Sequence, residues 1–300
     1  MKAAFICPLY DMKNHFDLAL KLYQSKLEYK VKEDIYFIFS NEAQCQKFKQ
    51  LVSDVCGEQI LFLVLDESLE HFKSKVTIKK FFGLKKLMNK YDYLGVIDSE
   101  TRFCKTADFA KVFDGIWQSK NMFKANLSLD GFNILRTCFK TLGIYDNRKL
   151  QLGTGHYKYN IWFNEIPVYK CDTLPGFFEW LDQFDINGWG NEWLCFEYYI
   201  YAAYLIIEKD FHVIKTKYTS MGGIMEYLYN YSEDKQHKIL NTLGSHWSSN
   251  PNVTNDNTYL LFHLDRNKNT EGYSYGIPFR EKVKMYVRMY LTIFKDKLIK

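Results

Sequence analysis

The clearest candidates for chemistry in this sequence are two carboxylates one residue apart, Asp98 and Glu100. They follow the apolar run at residues 93–97, whose length and continuity predict a strand buried on both faces of a sheet. Open α/β sheets bind their ligands at the carboxyl ends of the strands, where this pair would lie. Mg²⁺ and Mn²⁺ prefer oxygen ligands and often combine one or two carboxylates with substrate phosphates. The pair therefore predicts a metal-assisted site for a nucleotide or a sugar phosphate.

Alternating strands and helices are predicted to position these carboxylates. Apolar runs predict strands at 3–7, 34–39, 59–65 and 93–97, and periodic segments predict helices at 14–27, 42–55 and 77–89. This alternation indicates a parallel sheet joined by right-handed crossovers. No G-x-G-x-x-G follows the first strand and no P-loop signature occurs, which argues against a dinucleotide site and a P-loop nucleotide site.

The short acidic pattern alone would fit a solvated turn or a helix cap better than a metal site, but its surroundings resemble a known family. The helix at 77–89, the segment YDYLGVID and the two carboxylates together resemble the DXD region of GT-A glycosyltransferases, with Glu100 in place of the final Asp. Residues 8–10 resemble the P-x-Y opening of that family. The resemblance implies a GT-A fold: an α/β domain with a mostly parallel central sheet flanked by helices. It also implies that Asp98 and Glu100 bind Mn²⁺ or Mg²⁺ on the donor diphosphate.

Further residues are assigned by the resemblance to a nucleotide-sugar donor, for which a UDP-sugar is the favoured class. They end the predicted strands or lie on the helix before the acidic strand: Pro8, Tyr10, Ser40, Asp66, Lys79, Lys80 and Asp98. Lysine suits phosphate as a point charge. Solvation on an exposed helix face would explain Lys79 and Lys80 equally well, whereas Lys85 and Lys86 are expected at the surface.

A second group of candidates lies at residues 187–205, where a glycine-rich turn predicts a helix starting near Asn191. The segment EYYIY at 197–201 is similar to a helix of some bacterial surface-polysaccharide glycosyltransferases. That similarity implies a carboxylate that deprotonates the acceptor hydroxyl if the reaction inverts configuration. Glu197 is favoured as this base, with Glu192 as its competitor; on one helix they would lie about 140° apart and could not both face one cleft. Either residue could instead cap the helix or supply surface charge.

A late histidine completes the candidate metal site. A strand predicted at 258–262 runs into His263, much as the earlier strand runs into Asp98. GT-A enzymes often supply a late histidine as a further metal ligand, and the resemblance favours His263 over His246. A histidine that only makes hydrogen bonds is the alternative.

The C-terminal residues 279–300 predict a basic amphipathic helix. They carry seven Lys and Arg against two Asp and Glu, a net charge of +5 that equals the charge of the whole chain. The rest of the chain is balanced, which argues against a nucleic-acid partner. A helix of this kind suits an anionic membrane surface, although a terminal helix docked on the core would show the same pattern. Scattered cysteines, no signal peptide and no transmembrane run favour a cytoplasmic protein, peripheral at the inner face of the membrane.

The predicted organisation is a catalytic domain at 1–275, with a nucleotide-binding half at 1–105 and an acceptor-binding half at 106–275, followed by the helix at 276–300. The predicted function is a metal-dependent hexosyl- or related sugar transferase. Its acceptor would be a glycan or lipid-linked glycan of bacterial lipooligosaccharide or capsule. A sugar nucleotidyltransferase is one alternative, but it needs a triphosphate-binding loop that this sequence lacks. A non-catalytic nucleotide- or glycan-binding protein at the membrane surface is the other.

Overall fold

The computed structural model describes the following residues: 1–10, 13–53, 60–66, 75–103, 106–118, 123–125, 137–150, 161–163, 166–185, 196–211, 261–263 and Val287. Strands and helices alternate through the first part of the chain, as the apolar runs predict. The elements up to residue 118 are β1 (Ala3–Pro8), α1 (Lys13–Glu28), β2 (Asp34–Phe39), α2 (Glu42–Ser53), β3 (Leu61–Val64), α3 (Lys75–Leu87), β4 (Tyr93–Val96), β5 (Thr101–Phe103) and α4 (Phe109–Gln118).

The later elements are shorter and were less evident in the sequence. They are β6 (Phe123–Ala125), β7 (Ile161–Phe163), β8 (Val168–Lys170), α5 (Leu174–Leu181), α6 (Glu197–Lys209) and β9 (Leu261–His263). The segments at 126–133 and 151–160, which include a predicted strand and a predicted loop, lie outside the described residues.

A five-stranded sheet in the order β3-β2-β1-β4-β8 forms the centre of the described structure. The pairs among β1, β2, β3 and β4 are parallel, and β8 joins β4 in the antiparallel sense. Two antiparallel pairs, β5 with β9 and β6 with β7, lie outside this sheet. The predicted α/β class with a mostly parallel central sheet is therefore confirmed.

Helices cover both faces of the sheet, which explains why its central strands are apolar throughout. The Phe5 ring packs against Phe109 and Phe113 of α4, with ring centroids 5.1 and 5.4 Å away. Ile6, the next residue along β1, points to the opposite face because successive strand side chains alternate. There α3 approaches so closely that a Cβ at Gly83 would lie 3.0 Å from Ile6. A larger residue at that position would push α3 away from the sheet.

The helix predicted near Asn191 is observed as α6, which starts at Glu197. Phe196 precedes it with an extended backbone, φ −76° and ψ 100°. The predicted start is therefore wrong, because the chain is still extended one residue before Glu197. Glu192 lies outside the described residues, and the angular argument that placed both glutamates on one helix no longer applies.

The predicted C-terminal helix lies outside the described residues except for Val287. This residue is helical and is 50% exposed. No helix among the described residues is both long and apolar enough to cross a membrane.

Candidate functional site at the carboxyl edge of the sheet

A tight turn after β4 holds the two candidate carboxylates. Ile97 N donates to Ile6 O at 2.9 Å, which extends the pairing of β4 with β1 by one residue. Thr101 N then donates to Asp98 O at 3.0 Å and closes a four-residue turn. Within this turn Asp98 is exposed, whereas Glu100 is only 4% exposed. The carboxylates thus lie at the predicted edge of the sheet, one facing solvent and the other facing the protein interior.

Two consecutive hydrogen bonds link Glu100 to Ser99 and Ser99 to His15. The sequence did not reveal this arrangement. Ser99 Oγ donates to Glu100 Oε2 at 2.9 Å, and His15 Nδ1 on α1 lies 3.1 Å from Ser99 Oγ. His15 and Ser99 are both buried, at 5% and 2% exposure. In a hydrolytic triad the carboxylate bonds to the imidazole, but here it bonds to the serine hydroxyl. The arrangement therefore orients Glu100 and does not activate Ser99 as a nucleophile.

The two lysines assigned to the donor are buried, so the alternative of a solvated helix face is wrong. Lys79 is 2% and Lys80 is 9% exposed, because the side of α3 that bears them packs against the sheet edge and α6. Lys79 Nζ donates to Leu9 O and lies 5.1 Å from the centroid of the Tyr10 ring. Lys85 and Lys86 are exposed, as predicted.

Lys80, on α3, forms an ion pair with Glu197 of α6. Its Nζ lies 2.6 Å from Glu197 Oε1, and the Glu197 side chain is 2% exposed. Burial by itself would lower the pKa of Lys80, but the neighbouring carboxylates of Glu197 and Asp98 outweigh burial and raise that pKa. Lys80 therefore stays cationic at neutral pH, with the carboxylates of Glu197 and Asp98 near it.

The same charged residues affect the pKa of the Cys7 thiol, near the end of β1. Burial raises its pKa well above the ordinary value, and the negative charges of Asp98 and Glu100 raise it further. Arg102 and Lys80 act in the opposite direction. Four charged residues therefore act on the carboxyl end of β1.

Strand β9 brings the backbone of His263 to this site. It pairs antiparallel with β5, and His263 lies opposite Thr101, the residue after Glu100. Directly paired residues in antiparallel strands have Cα atoms about 5 Å apart. Of the strand predicted at 258–262, residues 261 and 262 are observed in β9, which also includes His263, and residues 258–260 lie outside the described residues. The competitor, His246, lies outside the described residues.

The remaining donor assignments are distributed along the same edge. Pro8 is the last residue of β1, and Ser40 follows β2, where its N–H donates to Gln44 Oε1 at 3.1 Å. Asp66 follows β3, three strand spacings or about 14 Å from β4. It is exposed and pairs with Lys86 at 2.7 Å. Pro8 is thus brought next to Asp98, whereas Asp66 lies at the far side of the sheet.

A divalent cation fits the donor set at the turn. Among the side chains that the structure describes, no three His, Cys, Asp or Glu residues converge as a metal site. Two carboxylates one residue apart are nevertheless sufficient protein ligands for Mg²⁺ or Mn²⁺ when substrate phosphates supply the remaining oxygens. Asp98 is exposed, and the backbone of His263 lies opposite Thr101 at the end of the same turn.

A separate cavity of about 710 Å³ opens at the opposite, amino edge of the sheet. Two of its acidic side chains accept hydrogen bonds from neighbouring elements, whereas the second carboxylate oxygen of Glu33, Oε2, is buried without a hydrogen-bond partner. Tyr91 Oη donates to Asp34 Oδ2 at 2.6 Å, and Glu33 Oε1 accepts from Ala110 N at the start of α4 at 3.3 Å. These contacts hold strands and a helix together, and the candidate site remains at the carboxyl edge.

No known protein family and no curated protein matches this chain in sequence. Among solved structures, it is similar to the galactosyltransferase LgtC in complex with donor and acceptor sugar analogs, with a TM-score of 0.41 and 12% identity over 88% of this chain and 87% of that one. Mouse xyloside xylosyltransferase 1 gives a TM-score of 0.42 and 9% identity over 71% and 85%. The bifunctional glycosyltransferase WbbM gives 0.38 and 13% over 67% and 38%. All three TM-scores lie below 0.5, and the proposals below rest on the residues of this chain.

Proposed function

We propose that this chain is a metal-dependent glycosyltransferase that moves a sugar from a nucleotide-sugar donor to a glycan acceptor. The observation that carries the proposal is the turn at 98–101, which holds two carboxylates at the end of β4 beside two buried lysines. The carboxylates suit a divalent cation and the lysines suit phosphate oxygens, so the two together suit a diphosphate that carries a bound cation. Neither a solvated acidic turn nor a solvated lysine face would bury Glu100, Lys79 and Lys80 together.

Asp98 and Glu100, together with His263, would hold Mn²⁺ or Mg²⁺. A divalent cation there would neutralise the charge that develops on the departing nucleoside diphosphate, so that the protein needs no general acid at that position. Asp98 is exposed and would face the donor, whereas the buried Glu100 accepts a hydrogen bond from Ser99 that restricts its orientation. The chain's own contribution is therefore to fix the ligand geometry before the donor arrives.

The donor would lie across the ends of β1 and β2, where Pro8, Tyr10 and Ser40 are found. Lys79 is fixed between Leu9 O and the Tyr10 ring, and Lys80 lies beside Asp98 in the field of the site. Two cations held in a poorly hydrated edge attract phosphate oxygens more strongly than solvated lysines do. Asp66, at the far edge strand, would contact only a part of the donor that extends away from the diphosphate.

Glu197 would serve as the base for the acceptor hydroxyl, with Glu192 as the competitor. Its ion pair with Lys80, which is itself assigned to the donor, supports this role, because a base for direct transfer must lie near the donor. Glu197→Gln keeps the size of the side chain and separates two roles. Loss of the base would lower kcat about 10²–10⁴-fold, with little change in the donor KM. If Glu197 only holds Lys80 in place, loss of the ion pair would raise the donor KM instead. The matched variant Glu192→Gln tests the competitor.

A UDP-sugar is the proposed donor, and a glycan or lipid-linked glycan of bacterial lipooligosaccharide or capsule is the proposed acceptor. The basic residues 279–300 would attach the protein to anionic lipid at the cytoplasmic face of the membrane. Their net charge of +5 supports this attachment, because juxtamembrane lysine and arginine each contribute about 1 kcal/mol near an anionic surface.

Thermal unfolding against a panel of nucleotides and nucleotide sugars, with and without Mn²⁺, tests the proposed function. A ligand that binds only the folded state raises the unfolding temperature by mass action. The proposal expects a rise with one nucleoside diphosphate and its sugar, and only when Mn²⁺ is present. A rise with nucleoside triphosphates but not with nucleotide sugars would contradict it and favour nucleotidyl transfer.

A further inference from the structure

We infer that His15 and Ser99 are positioning residues that hold Glu100 in the orientation in which it binds a divalent cation. His15 lies on α1 and Ser99 in the turn after β4, so the chain of hydrogen bonds crosses between two elements. The inference rests on the proposed function, since it concerns how the carboxylate assigned to the cation is kept in place.

The direction of each hydrogen bond follows from counting protons. An ionised Glu100 can only accept, so the single hydroxyl proton of Ser99 is donated to Glu100 Oε2 across 2.9 Å. Ser99 Oγ then has only lone pairs to offer to His15 Nδ1, 3.1 Å away. The proton between them must therefore belong to His15 Nδ1. His15 is therefore the donor and Ser99 Oγ the acceptor in this hydrogen bond.

Burial makes this chain rigid and gives it an effect on the cation. His15, Ser99 and Glu100 are all at most 5% exposed, so water does not compete well for their hydrogen bonds. One oxygen of Glu100 is tied to Ser99, which restricts rotation of the carboxylate about its side chain. Residues that orient a metal ligand in this way typically change metal affinity by about 10–100-fold when they are removed.

The same imidazole also contacts the donor side of the site. The His15 and Tyr10 rings have centroids 5.4 Å apart and are tilted by 53°. Tyr10 in turn lies under the Lys79 ammonium. His15 therefore touches both the aromatic ring assigned to the nucleotide and, through Ser99, the carboxylate assigned to the cation. A displaced His15 would loosen both at once.

The test measures Mn²⁺ affinity directly, from the electron paramagnetic resonance signal of free Mn²⁺, in the full chain with and without UDP. Ser99→Ala removes the hydroxyl, and we expect it to weaken Mn²⁺ binding about 10-fold. His15→Ala should weaken binding by a smaller or similar factor. His15→Asn, whose amide can donate from nearly the position of Nδ1, should restore most of the affinity. Because His15 reaches Glu100 only through Ser99, the double variant without UDP should bind Mn²⁺ no more weakly than Ser99→Ala.

The control is Ser25→Ala, on the same helix. Ser25 is also a buried serine, whose Oγ bonds Leu22 O and Phe103 N, and it lies about 15 Å further along α1. We expect this control to lower the unfolding temperature without changing Mn²⁺ affinity. Normal Mn²⁺ affinity in Ser99→Ala, or fully additive losses in the double variant, would overturn the inference. Absence of Mn²⁺ binding by the unchanged chain would instead overturn the proposed function, and the inference with it.

Discussion

Lys80 Nζ on α3 lies 2.6 Å from Glu197 Oε1 on α6, and both side chains are buried. The two residues come from distant parts of the chain, 117 positions apart. Their ion pair joins α3 to the helix that carries the proposed base. The carboxylate of Asp98 also raises the pKa of Lys80, so both acidic candidates act on the same lysine.

The first prediction concerns the stability of this pair. Lys80→Met or Glu197→Met alone leaves the other charge buried without its partner, and we expect each to lower the free energy of unfolding by about 3–5 kcal/mol. The double variant, which removes both charges, should lose much less. Denaturant unfolding of the four proteins measures the interaction as a double-mutant cycle. If the losses of unfolding free energy in the two single variants add up to the loss in the double variant, the two residues do not interact energetically.

The second prediction separates the buried lysine Lys79 from an exposed lysine of the same helix. Lys79→Met should weaken binding of UDP with Mn²⁺ by about 10-fold or more, because a hydrogen bond to a charged group is worth about 1.5–3 kcal/mol. Lys85→Met is the matched control, since Lys85 is exposed on α3 and should leave affinity unchanged. Calorimetric titration measures both. Equal affinities for the two variants would remove Lys79 from the donor site.

The third prediction concerns pH and Glu33, at the amino edge of the sheet. Burial raises the pKa of Glu33, although hydrogen bonds from the backbone N–H groups of Ala110 and Phe109 act in the opposite direction. A carboxyl group whose folded pKa is raised stabilises the fold below its unfolded pKa, and that stability is lost as pH rises through the folded pKa. Relative to Glu33→Gln, the unchanged protein should therefore lose unfolding free energy as the pH increases above about 4.5. Parallel curves for both proteins between pH 4 and 8 would contradict the prediction.

The fourth prediction concerns residues 279–300. Replacing Arg280, Lys282, Lys284 and Arg288 by Gln should strongly reduce sedimentation of the protein with vesicles that contain anionic lipid, because each basic residue contributes about 1 kcal/mol at such a surface. Neutral vesicles serve as the control and should bind both proteins weakly. Unchanged binding to anionic vesicles would show that this segment is not the membrane contact.

The strands and helices of the first half could be predicted because their hydrophobic periods are long and unbroken. Each predicted strand up to residue 97 is present. The position of Asp98 and Glu100 followed from the same pattern, since it needs only the end of one strand and the rule for where open sheets bind ligands.

The residues that the sequence did not reveal depend on packing between distant elements. His15 is one histidine in a helix, and nothing in its neighbours indicates that it forms a hydrogen bond with Ser99, 84 residues away. The burial of Lys79 and Lys80 depends on how α3 meets α6, which the pattern of α3 alone does not determine. The start of α6 was misplaced because a Gly- and Asn-rich turn predicts that a helix follows, but not how soon.

The measurement that tests the central claim most directly is release of UDP from a UDP-sugar by the purified full chain, with acceptor glycan, EDTA or Mn²⁺ added in turn. The account predicts release that EDTA abolishes and Mn²⁺ restores. It also predicts that Asp98→Asn, a change at an exposed position, loses release while it unfolds at the same temperature. Asp172→Asn, an exposed aspartate at the edge strand, is the control and should remain active. Release that is independent of metal, or full activity in Asp98→Asn, would contradict the account.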